Sequence, residues 1–169
     1  MTLEGSADAP PADMSLLLLL DSNVLGKILR SDLDENKRVS EAIFRLQEDP
    51  LFRVCIPEIT DYELRRKLLH LGHRRHQASK WAREALIDLD RLISAAGYVP
   101  LTTETMRLAA RIWAQTRAAG QSRVAEDGLD IDVILAAQAR LSGGHIITTN
   151  EKHFRNIAEV FDWTPFQDS

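Results

Sequence analysis

The chain has one cysteine, Cys55, among its 169 residues. No internal disulfide can form, and the expected setting is a reducing one, the cytoplasm. Long apolar runs are also missing. The longest, Leu16–Leu20 among them, span five residues, against the roughly 20 that a membrane-spanning helix needs. The first 15 residues carry Glu4, Asp8 and Asp13 but no Lys or Arg, the wrong charge for the start of a secretory signal. Aromatic residues are 6% and the net charge is −4, so wholesale attraction to nucleic acid or to acidic membranes is not the default expectation. What is present is ordinary: 44% apolar and 27% charged residues, as in a soluble globular protein. A single domain of this length buries roughly 70% of its extended-chain surface and needs no disulfide or structural metal to fold.

The modest net charge hides a segregation. Leu64–Arg83 holds seven Lys/Arg, three His and no Asp or Glu, leaving 14 Lys/Arg against 25 Asp/Glu in the other 149 residues. A basic segment therefore sits on an acidic body. A solvated helix face and a phosphate-binding surface both fit that pattern, and composition does not choose between them. His70, His73 and His76 are spaced by three, but Gly72 interrupts the helix that would align them and no Cys lies nearby. A solvent or nucleic-acid face suits them better than a zinc site. Trp81, Trp113 and Trp163 read as core or interface residues.

Residues 1–14 are small, polar and Pro-containing and are expected to be a disordered extension, with one domain over 15–167. Leu16–Leu20 reads as a strand buried on both faces, as at the centre of a parallel sheet. Helices are expected at Val24–Arg30 and Lys37–Gln47, a strand at Phe52–Pro57, and helices at Thr60–Leu71 and Ser79–Ala96. A strand at Tyr98–Leu101, a helix at Thr103–Ala119, a polar loop at Gly120–Gly128 and a helix at Asp130–Leu141 follow. The chain closes with a strand at His145–Thr148, a helix at Asn150–Val160 and an optional fifth strand within Phe161–Phe166. Alternating strands and helices predict an α/β fold, a three-layer α/β/α sandwich around a mostly parallel sheet of four to five strands. In such sheets ligands bind beyond the carboxyl ends of the strands.

Acidic residues gather where that rule points. Asp21 follows the first strand, Glu63 lies in the first turn of the helix after the second, and Asp130 and Asp132 open the helix before the fourth. Thr148-Thr149-Asn150 follows the fourth strand. Each has a modest explanation alone. Asp21-Ser22-Asn23 suits a turn and helix cap, Thr60-x-x-Glu63 a capping box, and Asp130 an N-cap beside Asp132 at the positive helix end. Together they call for more. Two carboxylates about 4 Å apart repel by roughly 4 kcal/mol at an effective dielectric near 20. Hard oxygen ligands without Cys or paired His favour Mg²⁺ or Mn²⁺, an ion suited to phosphate chemistry.

DSNVL after an apolar strand, YELRR, LDIDVILAAQA and IITTNEKHF, in that order from about Leu16 to Phe166, resemble the PIN-domain nucleases. Within these they look most like the VapC-type toxins of bacterial toxin–antitoxin pairs. The resemblance implies a Mg²⁺- or Mn²⁺-dependent endoribonuclease hydrolysing RNA phosphodiester bonds. Asp21, Glu63 and Asp132 match its metal-holding acids, and Asp130 would add a fourth. Thr148 matches the family's threonine, and Ser22 and Asn23 would orient Asp21 or a water. A homodimer and a cognate antitoxin, which would place a basic side chain among the acids, are implied as partners.

Asn150 and His153 stand where many relatives carry Asp. Asp130 would then supply the missing charge, or one ion is held firmly and a second joins with substrate; Asn150 can still hold a water through its side-chain oxygen. The same departure supports an alternative, a catalytically weakened PIN-fold module that binds RNA or protein. A phosphatase of the haloacid-dehalogenase type would want an Asp at position 23 and a placed catalytic Lys, and neither is present. Arg65, Arg66 and Lys67 follow Glu63 on one helix, so at least one is expected at the rim of the site, against RNA or a partner.

Overall fold

In the computed structural model of the chain, residues 15–73, 77–120 and 126–167 are described. The expectations for residues 1–14, for Arg74, Arg75 and His76, and for most of the Gly120–Gly128 loop lie outside them. Four strands, β1 (Leu16–Leu20), β2 (Phe52–Pro57), β3 (Gly97–Val99) and β4 (His145–Ile147), form one parallel sheet in the order β3-β2-β1-β4. Helices α1 (Ser22–Ile28), α2 (Asp34–Glu48), α3 (Glu58–Gly72) and α4 (Gln77–Ala95) precede β3; α5 (Thr103–Ala118) and α6 (Glu126–Ser142) precede β4.

The five leucines of β1 explain the layering. Side chains alternate across a strand. Leu18 and Leu20 enter a core shared with Leu25, Leu46, Leu68 and Leu89 from α1 to α4. Leu17 and Leu19 enter a second core with Ile112, Leu135 and Phe154, formed largely by α5 and α6. A central strand covered on both faces needs an unbroken apolar run, and β1 is one. Its neighbour β4 is reached by a reversal of strand order, and at such a switch the chain opens a crevice beyond the strand ends. Asp21 and Thr148 stand on either side of it.

Local details position that edge. The α6 helix ends at Gly143, whose φ of +66° suits glycine. A Cβ on Gly144 would run into the Leu19 side chain and crowd Leu17, so the residue leading into β4 is kept this small. Gln138 of α6 accepts from Ile59 N at 3.4 Å and donates to Val99 O at 2.7 Å, tying three elements together. Among the described residues no helix is long and apolar enough to cross a membrane.

Several expectations are corrected. The helix expected over Asn150–Val160 is instead a 3₁₀ turn at Glu151–His153 followed by further turns. Asn156 sits at φ 71°, a conformation a right-handed helix cannot use. The chain must turn there because Val160 returns to a parallel bridge with Ile146. That bridge is all that forms of a fifth strand, and Thr164–Phe166 is a 3₁₀ turn. Thr60 makes no capping box: α3 starts earlier, at Glu58, and the Thr60 hydroxyl donates to Leu20 O at 2.9 Å. The α6 helix also starts earlier, at Glu126, so Asp130 is not its N-cap. Of the tryptophans, Trp163 is core and Trp81 packs against the same core with the Arg30 guanidinium over its ring, whereas Trp113 is exposed under the Arg117 guanidinium.

Candidate functional site

Asp21 caps α1 at the end of β1, with its Oδ1 accepting from Ser22 N at 2.6 Å. Its Oδ2 accepts from the Thr148 hydroxyl at 2.7 Å. Asp21 is only 8% exposed, and burial, aided by the charge of Glu63, pushes its carboxyl above the ordinary aspartate value. Thr148, Ser22 and His153 act in the opposite direction.

Thr148 is a hub. Besides donating to Asp21 it accepts from Asn150 N at 2.9 Å and from Asn23 Nδ2 at 3.2 Å. Asn23 in turn accepts from Thr149 N at 3.3 Å. The start of α1 and the end of β4 are thus bound together across the switch in strand order. Trp163 donates to Thr148 O at 3.0 Å and holds the loop from beneath.

The other two acids arrive from helices. Glu63 and Asp132 are mostly buried, with 15% and 13% of their side chains exposed. Burial pushes Asp132 up to about 6, and the charges of Asp21 and Glu63 push the same way, while His153 opposes them. Asp21, Glu63 and Asp132 therefore feel one another's charge. Each leans on a nearer partner. Glu63 accepts from Lys67 Nζ at 2.6 Å, an i,i+4 pair on α3. His153 Nδ1 stands 3.1 Å from Asp132 Oδ2, yet that buried oxygen receives no well-formed hydrogen bond. On the far side of the ring, Asn150 Nδ2 lies 2.8 Å from His153 Nε2. With the amide nitrogen donating there, the imidazole turns its Nδ1–H toward Asp132.

Asp130 is not among them. It is exposed and lies beside Met106, Trp113 and Val133 on the α5–α6 surface. Residues two apart on a helix point to nearly opposite sides, so Asp130 and Asp132 could not both face one ion. The basic α3 residues are also accounted for. Arg65 binds Asp61 at 2.9 Å and Asp90 at 2.7 Å, and Arg66 stacks over Tyr62. Of the three cations expected at the rim, Lys67 is the one that reaches an acid of the site, Glu63. His153, at a position where many relatives carry Asp, faces Asp132, a pairing that depends on the loop after β4.

The donor chemistry fits a hard divalent cation. All three acids offer oxygen, all are largely withdrawn from water, and one buried carboxylate oxygen lacks a proper donor. In this arrangement, among the described residues, no three His, Cys, Asp or Glu side chains close on one point tightly enough to chelate an ion. Lys67 pairs with Glu63 and His153 faces Asp132 instead, and both would have to swing aside for chelation.

The architecture has solved counterparts. The chain superimposes on VapBC2 from Rickettsia felis, described as bound to a DNA fragment from its promoter, with a TM-score of 0.65, 14% identity, and 86% of this chain and 98% of that one covered. DNA-bound VapBC from Salmonella typhimurium gives a TM-score of 0.63 at 20% identity, with 88% and 98% covered. FitAcB from Neisseria gonorrhoeae gives 0.62 at 23% identity, with 87% and 98% covered. No curated protein matches the sequence. At these identities the likeness is one of fold. Residues 18–160 match the PIN domain, and the chain belongs to that family.

Proposed function

We propose that the protein is a metal-dependent endoribonuclease, the toxin of a toxin–antitoxin pair working in the cytoplasm. The observation that carries this reading is the meeting of Asp21, Glu63 and Asp132, from three separate elements, close enough for the charge of Glu63 to raise the proton affinity of both aspartates. Asp21, Glu63 and Asp132 would hold Mg²⁺ or Mn²⁺. Such an ion supplies an activated water and neutralises charge on the phosphodiester.

The protein's own residues prepare the site. Thr148 fixes the Asp21 carboxylate, and Asn23 fixes Thr148. Lys67 holds Glu63 and His153 faces Asp132 until the acids are engaged elsewhere. Asn150, anchored through its backbone to Thr148, presents a polar side chain at the rim where many relatives place an acid. The family supplies the rest of the reading: a homodimer, and an antitoxin whose basic side chain competes for the same carboxylates. The VapBC and FitAcB structures are consistent with such a partner.

Cleavage of a labelled RNA in Mg²⁺ or Mn²⁺ by wild type, Asp21→Asn and Asp132→Asn tests the proposal. Cleavage by wild type and none by the variants is expected. Undiminished cleavage by a variant free of contaminating nuclease removes the assignment. The alternative, a binding module that no longer cuts, draws on the Asn150–His153 pair at the acid positions. Calorimetry with Mn²⁺ separates the two: heat of binding lost in Asp21→Asn supports the nuclease, and none in wild type supports the module.

A further inference from the structure

A second feature adjoins the acids at Thr148. A polar groove of about 750 Å³ runs between α1 and the segment after β4, and Thr148 and Asn150 form part of its wall. Lys27, Lys152 and Arg155 line it, with Glu151 as the one acid. Among the described residues none of these three cations enters an ion pair; Lys27 makes one long contact, 3.5 Å to the Asn36 amide oxygen. The contrast with α3 is direct, since Arg65 is spent on Asp61 and Asp90 and Lys67 on Glu63.

A polyanion has to be brought to a cluster of acids on a chain whose net charge is −4. Cations already neutralised by neighbouring carboxylates contribute little to that, whereas free ones next to the site attract phosphates and exchange their counterions for them. We propose that this groove binds the sugar–phosphate backbone of single-stranded RNA next to the scissile bond, with Lys27, Lys152 and Arg155 on successive phosphates. Thr148 and Asn150 are shared between groove and acids, so a strand lying in the groove is delivered to Asp21. The groove's size matches that of ligand clefts, roughly 300–1,000 Å³. The inference rests on the nuclease reading for the identity of the strand.

The test is fluorescence anisotropy with a 5′-labelled single-stranded RNA of mixed sequence, in EDTA to prevent cleavage, over a salt series. Wild type is compared with Lys27→Gln/Lys152→Gln/Arg155→Gln and with Arg107→Gln/Arg111→Gln/Arg140→Gln, which removes the same charge from α5 and α6. Thermal melts establish that each variant is folded. The groove variant should bind at least about tenfold more weakly, and its slope of log affinity on log salt should fall by about 2, at roughly 0.7 per single-strand phosphate contact. The α5–α6 variant should keep most of the wild-type slope. An unchanged slope in the groove variant, an equal loss in both variants, or no binding by wild type overturns the groove. Wild type that binds through the groove but neither cleaves RNA nor binds Mn²⁺ keeps the groove and loses the nuclease. Wild type that cleaves while the groove variant keeps its slope does the reverse.

Discussion

Two charged regions meet at Thr148, and they hold their charge in opposite ways. In one, Asp21, Glu63 and Asp132 are withdrawn from water, and burial lifts Asp21 and Asp132 above the usual carboxylate range. In the other, Lys152 and Arg155 are exposed and Lys27 partly so, with no ion pair among the described residues. Buried like charges store repulsion that a close counterion relieves, so their effects are large and short-ranged. Hydrated charges cost the fold almost nothing and act over about a Debye length, so their effects are graded and screened by salt. A nuclease needs both kinds, one to do chemistry on a phosphate and one to bring the phosphate there.

That contrast can be broken from the acid side first. Asp21→Asn or Asp132→Asn should lower RNA cleavage at least about 100-fold, beyond the 10- to 100-fold typical of losing a ligand's supporting partner. Single-turnover assays with each variant check this, with circular dichroism to show that the fold is kept.

Thr148→Val comes next. It keeps the shape of the side chain but strips a hydrogen bond from a buried carboxylate and leaves Asn150 N without its acceptor. A hydrogen bond to a charged group is worth about 1.5–3 kcal/mol, so melting should fall by about 4–8 °C, and Mn²⁺ binding should weaken with it.

Asp132→Asn should, by contrast, stabilise the metal-free protein. Asp132 is raised from 3.8 to about 6 in the fold, so the folded state favours the protonated form. Stability is then lost as pH rises from the unfolded value near 3.8 through about 6, and the full penalty is present at pH 7.5. An amide does not ionise. The variant should melt a few degrees higher than wild type in EDTA at pH 7.5, with the gain shrinking toward pH 4.5. A gain that does not depend on pH would show that the carboxylate is not under strain.

The smallest effect belongs to the groove. Arg155→Gln alone should leave melting unchanged and lower the salt slope of RNA binding by about 0.7, one phosphate contact. A melting change larger than its binding change would place Arg155 in the packing instead.

The two regions also differ in how visible they are along the chain. The acids could be found because each lies at or within two turns of an element's start or end, although Glu63 and Asp132 stand in the second turn of their helices and not the first. Asp21 closes five leucines, and LDIDVILAAQA carries Asp132 on an apolar helix. Asp130 does not join them, because it is two residues from Asp132 on one helix and points to nearly the opposite side. The seven-cation segment attracted notice by its density, yet Arg65 and Lys67, two of its cations, are neutralised by acids one turn away or on α4. Lys27 lies more than a hundred residues before Lys152 and Arg155, and the three form no cluster until β1 and β4 lie side by side.

The sequence by itself determined the layered α/β plan and the edge at which the acids gather. Strand and helix periodicity, and the rule that crossovers return every parallel strand in one direction, are local matters that fix where strand ends must be. Only the tertiary structure decided which carboxylate faces inward on α6, which cations stay free, and that His153 comes to Asp132. Those depend on how the helices pack and on an irregular turn at Asn156, whose form is dictated by where Val160 must return beside Ile146. Side-chain partnerships between distant segments carry no periodic signal, because they are set by how the layers pack and not by the residues on either side.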